Sequence, residues 1–95
     1  MQISYVYILQ CADDSLYTGV TSDLTKRMYQ HDSGFYTSCY TFKRRPLKLV
    51  FYAEFTNISM AIDTEKQIKK WSRAKKLALI KGDFVLLSNL SKKKF

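Results

Sequence analysis

Tyr5-Val6-Tyr7-Ile8-Leu9, a polar break at Ala12-Asp13-Asp14-Ser15, then Leu16-Tyr17-Thr18-Gly19-Val20 and Thr21-Ser22-Asp23 form the stretch that decides the fold. Two short runs rich in Tyr, Val and Ile on either side of a polar break predict a β-hairpin. Side chains alternate along a strand, so Tyr5, Tyr7 and Leu9 share one face and Val6 and Ile8 the other. Gly19 lies inside the second strand, where glycine is a weakness unless another group must approach the backbone. Thr21, Ser22 and Asp23 are each able to cap a following helix. Leu24, Arg27, Met28 and His31 then recur at helical spacing and share the face that packs back on the hairpin. An arginine and a histidine are thereby aimed at Tyr7 and Tyr17. Gly34 ends the helix.

The chain has 95 residues, 46% of them hydrophobic and 15% aromatic, which suits one domain with a modest core. We expect that domain to span residues 1–95, with its core over about 4–81 and a short helix and basic tail over 83–95. No run of eighteen apolar residues is present, so no membrane span is expected. The N-terminus lacks the pattern of an export signal, and Cys11 and Cys39 lack the spacing of a metal knuckle or redox pair. A cytoplasmic location is the expectation. The net charge of +8 is unevenly placed. Lys26 and Arg27 are the only basic residues before position 43, against Asp13, Asp14, Asp23 and Asp32. Such asymmetry points to a polyanion, most often nucleic acid. The alternative is a basic domain whose lysines only keep it in solution.

Residues 36–42 carry no periodic pattern. Tyr36, Thr37, Ser38, Tyr40 and Thr41 run into Lys43-Arg44-Arg45-Pro46, a mixture that suits contact with phosphates and bases or an ordinary polar loop. Residues 47–55 predict a third strand, apolar on both faces in its middle and therefore covered on both sides. On alternation, Leu47, Leu49 and Phe51 share one face. Asn57-Ile58-Ser59 opens a helix to about Trp71, with Ile58, Ala61, Ile62, Ile68 and the stem of Lys69 on one side. Glu65 falls in the middle of that stripe, where an unpaired charge is costly. Either an i,i+4 pair with Lys69 or a metal at the edge of a cleft would account for it. Ser72-Arg73-Ala74 begins a third helix with Leu77 and Ile80 inward and Gly82 as its stop. Asp83 is placed to cap a last short helix carrying Phe84, Leu87 and Leu90, and residues 92–94 form a basic tail. The order is β-β-α-β-α-α, an α+β fold.

In order and spacing, Tyr5-Val6-Tyr7, Tyr17-Thr18-Gly19, Arg27, His31 and Glu65 resemble the GIY-YIG nuclease superfamily. Tyr40-Thr41, Arg44-Arg45-Pro46 and the run from Ile68 through Lys69-Lys70-Trp71-Ser72-Arg73-Ala74 are similar to its short stand-alone bacterial branch. Tyr5 and Val6 stand where the family has Gly and Ile, and residues 66–88 hold none of the asparagine that larger members place after the glutamate. The resemblance implies a small three-stranded antiparallel sheet flanked by helices. It also implies hydrolysis of a nucleic-acid phosphodiester with one ion, Mg²⁺ or Mn²⁺.

On that resemblance the roles divide as follows. Arg27 clamps the scissile phosphate with a permanently charged fork. Glu65 holds the ion together with waters, as is usual for Mg²⁺. Tyr7 orients or deprotonates the attacking water, for which a phenol of pKa about 10 needs neighbouring cations. Tyr17 and His31 position water and phosphate, and Gly19 allows close approach. Tyr40, Lys43, Arg44, Arg45, Lys69, Lys70 and Arg73 are the expected nucleic-acid contacts, with DNA the expected partner and a homodimer or accessory protein a means of targeting. The competing function is a nucleic-acid-binding module that keeps the fold without catalysis.

Overall fold

The computed structural model describes residues 2–34 and 40–83. The first strand, β1 (Ser4–Gln10), and the second, β2 (Leu16–Thr21), pair antiparallel with Tyr7 opposite Gly19 and Leu9 opposite Tyr17. Their turn is tied by the Cys11 N–H to the Ser15 carbonyl at 2.9 Å, and the Asp13 carboxylate accepts from both the Ser15 N–H and its hydroxyl. Asp14 takes the left-handed conformation there, at φ 67°. Aspartate tolerates that region better than most residues.

A third strand, β3 (Lys48–Phe55), pairs antiparallel with β1, giving the order β2-β1-β3. This overturns the expectation of burial on both sides of the third strand. The doubly covered strand is the central β1, whereas β3 lies at an edge with Leu49 40% and Tyr52 50% exposed. A register shift between Ile8 and Leu9 supplies the reason. Ile8 pairs with Phe51 but Leu9 pairs with Leu49, so Val50 is an extra residue in β3. One inserted residue reverses the alternation beyond it. Leu49 and Phe51 therefore serve opposite faces, not the shared face that strict alternation predicts.

Helix α1 (Leu24–Asp32) is capped by Asp23, whose side chain accepts from the Lys26 N–H, and Gly34 follows it at φ 74°. A short 3₁₀ helix at Phe42–Arg44 precedes β3. Helix α2 (Ile58–Lys69) starts at the Asn57 cap and ends before Lys70 and Trp71, short of the expected end. Helix α3 (Arg73–Lys81) is capped by Ser72 and stopped by left-handed Gly82. No helix among the described residues is long and apolar enough to cross a membrane. The expected last helix, the basic tail, Cys39 and the 36–39 part of the loop lie outside the described residues.

The core is built on one face of the sheet. Val6 and Ile8 meet Ala61 and Ile68 of α2, with Val50, Phe51, Phe55, Trp71, Leu79 and Ile80 packed around them. Burial of Val6, Ile8 and Ile68 contributes about 1.5–3 kcal/mol each. The inward side of α2 is Ala61, Glu65 and Ile68. Ile58 and Ile62, expected inside, are 51% and 36% exposed. They sit on the flank of the stripe, turned 60–100° from its centre at about 100° per residue. In α3, Ile80 reaches the core as expected, but Ala78 is the buried residue and Leu77 is only half-buried. The opposite face of the sheet, bearing Tyr5, Tyr7 and Tyr17, is met by His31 from α1.

Candidate active site

Tyr7 is fully buried on the central strand, with its ring laid across Gly19 of β2. A Cβ on residue 19 would lie 2.5 Å from the Tyr7 ring carbon that bears the hydroxyl, and closer still to the hydroxyl oxygen. The close approach expected at this glycine is thus made by Tyr7 itself. The Tyr7 hydroxyl is 3.0 Å from His31 Nε2, and His31 Nδ1 is 3.0 Å from the Thr41 hydroxyl. Three side chains from β1, α1 and the following loop are joined through one imidazole.

His31 is buried, and its pKa is held below the ordinary value, chiefly by that burial and further by the Arg27 charge, with Asp32 opposing. The neutral ring has one N–H, so the chain of hydrogen bonds has a single direction. If Nε2 carries the proton it donates to the Tyr7 oxygen and supports negative charge there. If Nδ1 carries it, the Tyr7 hydroxyl donates to a free imidazole nitrogen. In both directions the phenol is coupled to a group that moves protons near neutral pH.

Tyr17 is half-buried beside this pair. Its ring meets His31 edge-on at 5.5 Å and stacks on Tyr40 at 6.2 Å with planes 15° apart. The Arg44 guanidinium lies 3.8 Å from the Tyr40 ring centroid. Arg44 also donates to the Tyr40 carbonyl at 2.7 Å and pairs with Asp13 at 3.1 Å. The Asp13 carboxyl is held below its usual pKa, first by Ser15 and then by Arg44. Arg45 donates to the Phe42 carbonyl at 2.9 Å and covers the Phe42 ring. Both arginines therefore clamp their own loop. Lys43, Lys70 and Arg73 point into solvent.

Arg27 is half-buried on α1, and its Nη1 makes a long contact of 3.5 Å to the Val20 carbonyl. It lines an open groove of about 500 Å³ together with Thr21, Ser22, Ile58 and Ile62. The groove thus runs between Arg27 of α1 and the first turns of α2, and Glu65 lies one turn beyond Ile62 on α2. The Glu65 side chain is 10% exposed and pairs with Lys69 at 2.5 Å. Lys69 Nζ lies 6.0 Å from the Tyr17 ring centroid, which links the carboxylate to the tyrosines. Among the described residues no three His, Cys, Asp or Glu side chains gather as a metal cluster. The chemistry of Glu65 suits a hard ion held by one carboxylate and waters. The buried Thr18 hydroxyl on β2, without a partner among the described residues, is a further oxygen on the face that α2 covers.

Tyr7, Tyr17, Gly19, His31 and Tyr40 are in one contact network, and Lys69 connects Glu65 to it. Thr41 and Asp13 escaped sequence reasoning as site residues. Each acts across a non-local contact, to His31 and Arg44 respectively, that no spacing announces.

Residues 3–78 match the family of GIY-YIG catalytic domains. A UPF0213 protein of Syntrophus aciditrophicus is 51% identical over 81 residues, covering 85% of this chain and 93% of that protein. A UPF0213 protein of Clostridium perfringens is 43% identical over 90 residues, covering 95% and 96%. Among solved structures, a solution NMR structure of an E. faecalis protein matches with a TM-score of 0.62 at 32% identity, covering 90% of each chain. That of a UPF0213 protein from Bacillus halodurans matches at 0.56 with 40% identity, covering 83% of each.

Proposed function

The chain belongs to the GIY-YIG family, and from that membership we propose that it is an endonuclease hydrolysing phosphodiester bonds of nucleic acid, DNA foremost, with one Mg²⁺ or Mn²⁺ ion. The observation that carries the reading is the hydrogen bond between Tyr7 and a neutral His31 beside Arg27. A phenol is a poor base unless its own proton has somewhere to go. His31 takes that proton or donates to the phenolate, and Thr41 fixes the ring for either task. Arg27 presents a planar cation to the scissile phosphate from the groove wall, where charge grows in the transition state. Tyr17 packs the imidazole and faces the approaching strand. Glu65 would hold the metal, which when bound would stabilise charge on the leaving oxygen.

The test is a cleavage assay on single-stranded, nicked, flapped and duplex substrates with Mg²⁺ or Mn²⁺. Glu65→Gln should abolish metal-dependent cleavage and keep nucleic-acid binding. Arg27→Lys keeps the charge but loses the fork, and should cost at least about tenfold in rate. Equal activity of the lysine variant would mean that Arg27 only coats its helix.

Two observations favour the second reading, a nucleic-acid-binding module without catalysis. Tyr7 is fully enclosed and Glu65 already carries a counter-ion. Catalysis would then require that substrate opens access to the Tyr7 hydroxyl. Salt-sensitive binding with no cleavage of any substrate would select this second reading.

A further inference from the structure

We propose that Lys69 is an exchangeable counter-ion: its ammonium holds Glu65 until a divalent ion arrives, and is then handed to a nucleic-acid phosphate beside Tyr17. The inference rests on the metal reading of Glu65 given above. The Glu65 side chain is 10% exposed and that of Lys69 is 51% exposed. So enclosed a carboxylate needs a cation at all times. A divalent ion and an ammonium repel each other on one carboxylate, so loading of the metal displaces Nζ. The lysine stem is flexible and half in solvent, and the displacement involves no backbone movement.

Where the ammonium goes follows from its neighbours. Lys76 lies on the α3 side, its pKa lowered first by burial and then by the Lys69 charge. That side repels the released group. The Tyr17 ring lies on the other side, with Nζ already 6.0 Å from its centroid. There Lys69 stands with the stacked Tyr17 and Tyr40 rings, a place suited to a nucleotide phosphate. Metal and nucleic acid then assist each other. The metal frees a cation for the phosphate, and the phosphate removes the competitor of the metal. Such coupling is reciprocal by thermodynamic necessity.

The experiment is a calorimetric titration of the whole chain with Mn²⁺, alone and with a short phosphorothioate DNA duplex. The proteins compared are wild type, Lys69→Met, Lys69→Arg and Lys66→Met. Lys66 is exposed on the same helix and has no ion pair among the described residues. Lys69→Met should bind Mn²⁺ about tenfold tighter than wild type, a change readily separated from the smaller gain of removing one surface charge. Lys69→Arg grips the carboxylate harder and should bind Mn²⁺ more weakly. DNA should tighten Mn²⁺ binding to wild type and leave Lys69→Met unchanged. Equal gains in Lys69→Met and Lys66→Met would overturn the exchange, because charge alone would then explain them. Wild-type affinity in Lys69→Arg would overturn it too, and this variant keeps the partner of Glu65 should the methionine variant fold poorly. Absence of Mn²⁺ binding in every protein would remove the metal reading itself. Binding by wild type without the predicted ranking removes only the exchange.

Discussion

Gly19 and Tyr7 share one pair of the β1–β2 ladder, and a single methyl group tests how tightly that pair is made. The Tyr7 ring is buried and held by His31, so it has nowhere to retreat from a Cβ on residue 19. Gly19→Ala should destabilise by about 1–3 kcal/mol, the usual cost of overpacking. Combining it with Tyr7→Phe, which removes the oxygen nearest the new methyl, should recover part of that loss in chemical denaturation. His31 supplies a second test. Its folded pKa lies below the ordinary value of about 6.5. The unfolded chain therefore binds a proton first as the pH falls, and stability rises with pH across that window. The contribution is fully present above about pH 6.5 and is lost as pH falls through the lowered folded value. Wild type should lose melting temperature on acidification just below pH 6.5, and His31→Asn should lose less over the same range.

At the scale of elements, two arginines tie the described part of the loop before β3 to its surroundings. Arg44 joins the β1–β2 turn to Tyr40 through Asp13, and the Arg44 carbonyl accepts from the Ala12 N–H at 2.8 Å. Arg45 covers Phe42 and reaches the Asp32 carbonyl at 3.4 Å, close to Gly34. Arg44→Ala should lower the melting temperature more than Lys43→Ala. The Arg44 pair is partly exposed, so the ion pair itself contributes little, about 0–1 kcal/mol. The lost stacking and carbonyl bond make the difference. If both variants melt alike, Arg44 is a surface cation free for phosphate. Helix α3 depends on its cap in a similar way. The Ser72 hydroxyl accepts from the Lys75 N–H at 3.3 Å, and Ser72→Ala should cost about 1 kcal/mol.

At the scale of the whole molecule, charge is unevenly placed along the chain. The acidic residues of the first 42 positions outnumber the basic ones, while the later part holds fourteen of the sixteen basic residues. Lys43, Lys70 and Arg73 are exposed cations from that part. Arg44 and Arg45 are engaged within their loop, so the three exposed groups are the better test of nucleic-acid binding. Replacing all three with alanine should weaken binding to every sequence alike and flatten its salt dependence by about one unit of slope per lost phosphate contact. Affinity that is the same at low and high salt would make nucleic acid the wrong partner.

The sequence by itself determined the elements of this protein and their order. The hairpin, a first cap within Thr21-Ser22-Asp23, the helix starts at Asn57 and Ser72 and the stops at Gly34 and Gly82 depend on interactions within a few residues, which spacing and residue type express directly. It also determined the facing of Tyr7 and His31 and the anomaly of Glu65, because strand and helix periods are local too. Only the tertiary structure decided that β1 is central, that the inserted Val50 sends Leu49 and Phe51 to opposite faces, and that Ile58 and Ile62 flank a groove. It alone tied His31 to Thr41 and Arg44 to Asp13, which lies 31 positions away. It also placed the Lys69 ammonium on the Glu65 carboxylate. These are contacts between distant segments. They are selected by packing and charge compensation over the folded whole, which no local period encodes.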